Sequence, residues 1–304
     1  MTKIIIDTDP GIDDAMAIAY AVADPRIELL GLTTIFGNVH VEQATRNALL
    51  LCDWLGADAD VAQGASKPLV LPGVPPSHNV HGAEGFGAMP AGTPQRAALS
   101  ETAANYLVRM ARTYEGTLVL CPIGPLTNIA SAIALDPDFM HRLKACVIMG
   151  GSLQAGGNIT PAAEANIYHD PHAADIVFAA GGPVTMVGLD VTHHTLATRA
   201  EFAALAQASP QFGGKLNDMA QFYIDFYETV GKFDGCSLHD PAAVIACMDR
   251  DLFGYTPTPL MVTCTGDRIG ETRIATDRPI IQTATSVNAQ ALKTQFFNTL
   301  STLP

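Results

Sequence analysis

The sequence predicts an α/β protein: one domain on an open, mostly parallel, Rossmann-like sheet with helices on both faces, plus a mainly helical C-terminal part. Three observations lead there. Short apolar runs alternate with amphipathic segments, the pattern of strand–helix–strand units. Of 304 residues, 48% are hydrophobic and only 15% charged, which supplies a large core and excludes a disordered chain. No linker, composition shift or internal repeat divides residues 1–304.

In order along the chain, residues 3–6 are an apolar run too short for a helix and read as a buried strand. Residues 12–23 carry small apolar side chains at helical spacing, 27–35 is strand-like, 41–55 helical and 59–62 a short strand. Residues 64–94 are rich in Gly, Pro, Ser and His without any period, and so long a loop is uncommon unless functional. Regularity returns with a helix over 99–113, a strand over 117–121, a helix over 126–135 and a strand over 145–149. A Gly-rich loop (150–166), a helix (172–180) and a strand (184–187) follow. Residues 199–250 read as mostly helical, and 259–263, 269–275 and 280–285 as strands before a closing helix from Asn288.

Composition excludes several functions. Seventeen Lys and Arg against thirty Asp and Glu give a net charge of −13, which repels phosphate backbones and argues against nucleic acid as a partner. The start, residues 1–7, lacks the features of a secretory signal, and no apolar run reaches the roughly 18 residues of a membrane span. The six cysteines are scattered without a Cys-x-x-Cys pair, so they read as free thiols rather than zinc ligands or a disulfide framework. A soluble, cytosolic protein without a membrane partner is expected.

The densest carboxylate cluster, Asp7-Thr8-Asp9-Pro10-Gly11-Ile12-Asp13-Asp14, lies between the first strand and the first helix. Ligands of open α/β sheets bind at such carboxyl ends of strands. Taken singly, each Asp suits a turn or the helix dipole. Together they repel one another unless something positive sits among them. An all-oxygen carboxylate set favours Ca²⁺ or Mg²⁺ over zinc. Far downstream, His239-Asp240-Pro241 precedes an apolar stretch from Ala242, where Asp also reads as an N-cap and Pro as the first helical residue. A third group, Asn158, Glu164 and Asn166, follows the strand ending Met149-Gly150-Gly151, and two amides with one carboxylate suit a ligand rich in hydroxyls. Asn38, in Phe36-Gly37-Asn38 past another strand, reads equally as a site residue or a turn.

Taken in order, these segments resemble the nucleoside hydrolases, the inosine–uridine-preferring nucleoside N-ribohydrolase family. The resemblance runs through Asp7-Thr8-Asp9-Pro10-Gly11-Ile12-Asp13-Asp14-Ala15, Thr33-Thr34-Ile35-Phe36-Gly37-Asn38, Val80-His81-Gly82 and Gly124-Pro125-Leu126-Thr127-Asn128. It continues through Met149-Gly150-Gly151, Asn158, Glu164-Ala165-Asn166, Asp170-Pro171 and His239-Asp240-Pro241, from residue 3 to about 245. The resemblance implies Ca²⁺-dependent hydrolysis of the N-glycosidic bond of ribonucleosides to free base and ribose, in nucleoside salvage. Asp9, Asp14, Asp240 and the Ile123 carbonyl would ligate the ion. Asp9 would also activate the attacking water, as build-up of oxocarbenium-like charge on the ribose requires. Asp13, Asn38, Asn158, Glu164 and Asn166 would bind ribose hydroxyls, with Met149 beneath the sugar. His239 would protonate the leaving base, and His81 would be a second histidine on the base side. Similar enzymes are homotetramers or dimers, so a homo-oligomer is implied.

Specificity rests on fewer residues. Tyr223 and Tyr227, at i and i+4 of a helix over 211–230, read equally as base contacts or core aromatics. A purine-specific branch stacks the base between tryptophans, whereas the single Trp54 lies away from every motif, so a pyrimidine-preferring or broad inosine/uridine enzyme is expected. Ala165 stands where similar enzymes carry an aromatic residue, which enlarges the pocket. His40, His78, His141, His169, His172, His193 and His194 read as structural or surface residues. Two alternatives remain at this stage. One is a Mg²⁺ phosphatase using Asp7-x-Asp9, against which stand Pro10-Gly11 and the lack of a basic residue between Lys3 and Arg26. The other is a non-catalytic Ca²⁺-dependent nucleoside- or ribose-binding protein, which would need neither Asp9 as base nor His239 as acid.

Overall fold

The structure, a computed structural model, describes residues 1–90, 92–231 and 235–304; residue 91 of the expected loop and 232–234 of the expected helical segment lie outside the described residues. The first half runs β1 (Thr2–Thr8), α1 (Ile12–Ala23), β2 (Ile27–Thr34), α2 (Val41–Leu55), β3 (Asp60–Gln63), α3 (His78–His81), α4 (Ala103–Thr113), β4 (Leu118–Pro122), α5 (Thr127–Leu135), α6 (Phe139–Arg142) and β5 (Ala145–Met149). It continues with α7 (Ala165–His169), α8 (Pro171–Ala179), β6 (Val184–Val187), α9 (Leu189–Thr192), β7 (Leu196–Ala197), α10 (Arg199–Ala208), α11 (Phe212–Gly231), β8 (Cys236–Ser237) and α12 (His239–Met248). β9 (Phe253–Val262), β10 (Thr272–Ile274), β11 (Ile280–Val287) and α13 (Ala289–Leu300) close the chain. Among the described residues no helix is long and apolar enough to cross a membrane.

Nine strands form one open sheet in the order β10-β9-β11-β6-β5-β4-β1-β2-β3. All neighbours from β3 to β11 pair in parallel, while β9 runs antiparallel to both β11 and β10. From β1 the chain winds outward through β2 and β3, then returns to place β4 on the other side of β1. The carboxyl ends of β1 and β4 therefore diverge into a crevice at the point where strand order reverses, the ligand-binding position of such sheets.

Alternation along β1 explains the two cores. Ile4 and Ile6 pack with α1, α11 and α12 on one face, and Ile5 with α4, α5 and α8 on the other. Both faces of this central strand are covered, which is why it reads as an uninterrupted Ile run. Helix α2 ends where Gly56 adopts a left-handed conformation, φ 63°, and its N–H caps the Cys52 carbonyl.

The structure departs from the sequence expectation in several places: α4 begins at Ala103 rather than 99, where Leu99 instead bridges to Ala62, and β10 covers only Thr272–Ile274 of the expected 269–275. Strand β9 begins at Phe253, six residues before the expected start at Pro259, because Pro257 interrupts the run ahead of that second proline. β10 pairs with β9 only over Leu260–Val262, so an edge beside these prolines is free and their missing N–H groups cost no ladder bond. The short helices α3, α6, α7 and α9 are single turns too brief to show a period.

Asn128, in the first turn of α5, is a tie between layers. Its Nδ2 donates to Asp7 Oδ2 (2.8 Å) and to the Thr34 carbonyl (3.0 Å), and its Oδ1 accepts from Ala65 N–H (2.9 Å). It thereby joins β1, β2 and the start of the long loop. Asn128→Ala leaves the buried Asp7 carboxyl and two backbone groups short of partners. The expected loss is about 2–3 kcal/mol of unfolding free energy in urea titrations. A loss below about 0.5 kcal/mol, the range of neutral surface changes, would refute the tie.

Candidate active site

A cavity of about 530 Å³ opens at the crevice, a volume ordinary for a small-molecule site. Of the residues singled out from sequence, Asp13, Asn38, His81, Ile123, Met149, Asn158, Glu164, Asn166, Tyr223, Tyr227, His239 and Asp240 line it. Asp9 and Asp14 stand behind Asn38, whose N–H donates to Asp9 Oδ2 (2.6 Å) and whose Nδ2 donates to Asp14 Oδ2 (3.0 Å).

The floor is built by β1 and the start of α1. Asp14 Oδ1 accepts from the Thr8 hydroxyl (2.5 Å) and Asp9 N–H (3.2 Å), and its Oδ2 also accepts from Gly11 N–H (2.9 Å). Asp14 thus does cap the turn, as the plain structural reading holds. Asp9 is walled by two glycines: a Cβ at Gly37 would lie 2.0 Å from its Oδ2, and one at Gly124 would lie 2.7 Å from Oδ1. Both positions need glycine for close approach. Asp240 arrives from the other side of the sheet order on α12. That helix starts at His239 with Leu238 as N-cap, so Asp240 sits inside the first turn, and its Oδ2 has no hydrogen-bond partner. The capping role open to Asp240 from sequence is not the one it takes.

One oxygen each of Asp13, Asp14 and Asp240 lies within 4.8 Å of the others, all three residues being buried. Asp13, expected on the sugar side, therefore joins the groups facing one another, while Asp9 lies next to them. Desolvation raises all of these carboxyls above their ordinary range: Asp13 to about 8, and Asp9 and Asp240 strongly, with neighbouring carboxylates adding to the rise. Asp14 and Glu164 are raised by burial against the lowering effect of their hydrogen bonds. Oxygens of Asp9, Asp13 and Asp240 lack partners, and no lysine or arginine is among the described residues lining the cavity. Such buried carboxylate oxygens fit a divalent cation, and a hard, oxygen-preferring one.

The Gly-rich loop supplies the next wall. Glu164 is the N-cap of α7, accepting from Asn166 N–H (2.9 Å), Ile167 N–H (3.1 Å) and Gly151 N–H (3.0 Å). Asn166 Nδ2 donates to the carbonyls of Ile123 (2.9 Å) and Met149 (3.2 Å), and Asn158 Oδ1 accepts from Ala165 N–H (2.9 Å). These polar groups are therefore held in place before any ligand arrives. Ala165 is at the cavity wall, where a larger side chain would narrow it.

Aromatic and imidazole groups form the adjoining wall. His81 Nδ1 accepts from Ile12 N–H (3.2 Å), and burial pulls its pKa down to about 3, so the neutral ring carries its proton on Nε2. Tyr223 donates to Asp13 Oδ2 (3.2 Å), and Tyr227 Oη is 2.7 Å from His239 Nε2. Burial, with His193 and His81 nearby, pulls His239 to about 3 as well. Both tyrosines thus face the cavity rather than serving only as core.

Sequence reasoning missed His193, which lines the cavity and stacks edge-on to His239 with ring centroids 5.8 Å apart, against the expectation of a surface or structural histidine. It follows a single helical turn with no sequence signature. Phe226 and Val230 were also missed, although their spacing from Tyr223 and Tyr227 on α11 carried the signal.

Known proteins match this arrangement along nearly the whole chain. The family model described as inosine-uridine preferring nucleoside hydrolase matches residues 4–294. Uridine nucleosidase 1 of Arabidopsis thaliana is 42% identical over 89% of this chain and 81% of its own length. The inosine-uridine preferring nucleoside hydrolase of Leishmania major is 39% identical over 87% and 84%. Among solved structures, a plant nucleoside hydrolase, PpNRh1, superposes with a TM-score of 0.96 at 34% identity, covering 99% of both chains. A purine-preferring ribonucleoside hydrolase from Gardnerella vaginalis superposes at 0.95 and 37% identity, covering 99% of this chain and 98% of its own.

The raised carboxyls set a pH dependence. Above about pH 6.5, where the opposing contribution of the neutral His81 and His239 is spent, the folded state still holds carboxyl protons that the unfolded chain has released, so in chelator the stability falls as pH rises through about 8. Thermal unfolding in EDTA should show a falling midpoint across that window, and added Ca²⁺ should raise it more at pH 8 than at pH 5. A midpoint flat with pH and indifferent to Ca²⁺ would contradict this electrostatic reading.

Proposed function

We propose, for a chain that belongs to the inosine-uridine preferring nucleoside hydrolase family and is a ribonucleoside hydrolase acting on N-glycosyl bonds, a Ca²⁺-dependent reaction that accepts both uridine and inosine. The observation that carries this reading is the meeting of two groups in one cavity: buried Asp13, Asp14 and Asp240, and beside them the Tyr227–His239 pair. Asp13, Asp14 and Asp240, with Asp9 and the Ile123 carbonyl adjacent, would hold the ion, which when bound supplies charge that anchors ribose hydroxyls and eases deprotonation of water.

The remaining roles belong to the chain. Asp9 has one oxygen fixed by Asn38 N–H and the other without a partner among the described residues; with its raised carboxyl ionised by the charge of a bound cation, it would suit a base that takes a proton from the attacking water. Asn38, Asn158, Glu164 and Asn166 meet the ribose hydroxyls, and Met149 packs beneath the ring. Fixing the sugar in this way turns binding into orientation and distortion of the reacting centre. His239 is neutral near pH 7, so the departing base takes its proton from the Tyr227–His239 pair, which regains it from water when the products leave. Tyr223 and Phe226, each set edge-on to Tyr227, give the base an aromatic wall that does not depend on ring size, and Ala165 leaves room beside the sugar. The phosphatase alternative loses support in a cavity whose described lining has no Lys or Arg to meet a phosphate.

Release of free ribose from uridine, inosine, cytidine and adenosine tests the reading directly. Uridine and inosine should both be hydrolysed, and no ribose from any of the four would overturn it. Asp9→Ala should lower kcat at least about 10²-fold, the low end for a lost acid–base group, and an unchanged kcat would remove Asp9 as base. His239→Ala should cost far more on uridine or inosine than on p-nitrophenyl riboside, whose leaving group needs no proton. Equal losses on both would remove His239 from leaving-group assistance.

A further inference from the structure

Both ring nitrogens of His239 are engaged by hydroxyls: Nε2 with Tyr227 Oη and Nδ1 with Thr192 Oγ1, each at 2.7 Å. The two hydroxyls decide which nitrogen carries the proton, because a hydroxyl is donor and acceptor at once. Thr192 is fully buried at the end of α9, and Oγ1 has no other hydrogen bond among the described residues. The usual helical acceptor, the Gly188 carbonyl, already takes the N–H groups of Val191 and Thr192, both at 3.1 Å. Were Oγ1 to accept from Nδ1–H, its own hydrogen would be a buried donor with nowhere to go, which folded proteins avoid. Donation to Nδ1 satisfies both groups.

We infer that Thr192 is a positioning residue that fixes the tautomer of His239. Its hydroxyl donates to Nδ1, so the proton sits on Nε2 and is donated to Tyr227 Oη. The Tyr227 hydroxyl hydrogen is then turned away from His239, to the cavity that Tyr227 lines and the neighbouring Tyr223 hydroxyl. Tyr223 is committed to Asp13 Oδ2, which leaves Tyr227 as the hydroxyl of this pair that can donate to a departing base. The donors run in one direction, Thr192 to His239 to Tyr227 to ligand.

The placement of Thr192 is itself secured. Asp190, on the same turn, accepts from the N–H groups of Leu153 (2.7 Å), Gln154 (2.7 Å) and Ala155 (2.9 Å). The Thr192 carbonyl accepts from the Thr195 hydroxyl (2.8 Å), and the Thr195 carbonyl takes Leu238 N–H (3.0 Å) just before His239.

The effect on rate rests on the hydrolase reading above, whereas the tautomer does not. Nitrogen NMR of [15N]histidine-labelled wild-type protein, with the His239 signals assigned by their loss in His239→Asn, should show a protonated Nε2 and an unprotonated Nδ1. The reverse pattern overturns the inference. Thr192→Val keeps the shape and removes the donor. It should lower kcat on uridine and inosine at least about tenfold, a part of what loss of an acid–base group costs, with p-nitrophenyl riboside hydrolysis changed by less than about twofold. Thr192→Ser should keep most of the nucleoside rate. Equal losses on all substrates, or none on the nucleosides, overturn the inference. If Thr192→Val does not fold, the wild-type tautomer and the Ser variant decide. A wild type that releases no ribose from any nucleoside sinks the proposed function instead, and leaves the tautomer measurement standing.

Discussion

Asp9, Asp13, Asp14, Asp240 and Glu164 are all buried around one cavity, without a lysine or arginine among its described lining residues. Removing that many carboxylates from water is unfavourable unless each is hydrogen-bonded, protonated or matched by positive charge. Much of the local architecture answers this constraint. Backbone N–H groups at the ends of β1, β2 and β5 turn inward, the glycines at 37 and 124 let the chain approach Asp9, and Asn38 serves two carboxylates at once. What these donors leave unmet is a demand that a hard cation would fill.

Beside the acids, burial acts in the other direction and strips charge from His81 and His239. The cavity therefore combines carboxyls that only a bound positive charge would keep ionised with imidazoles that burial keeps neutral.

The parts of this arrangement visible in the sequence were those whose physics is local. Residues 12–23, 41–55, 145–149 and 184–187 match their elements, because period, Gly56 and the bounding turns act within a few residues. The carboxylate cluster was legible because four acids after a strand have no other good explanation. Asp13 facing Asp240, the pairing of Tyr227 with His239 and the position of His193 depend on α11 and α12 docking beside β1. No spacing rule reports that contact. The early start of β9 was hidden by prolines whose tolerance depends on where a neighbouring strand ends.

The acids that face one another come from opposite sides of a large sequence gap: Asp13 and Asp14 open the first helix, and Asp240 opens the last but one. Nothing in a partly assembled sheet holds them together, and their mutual repulsion opposes the docking of α12 on α1. Ligation of a cation by all three would thus be non-local, requiring α12 to be docked on α1. Capture of a cation would act as a late latch on the topology, so that the same contact that prepares the site for chemistry also marks the molecule as fully assembled.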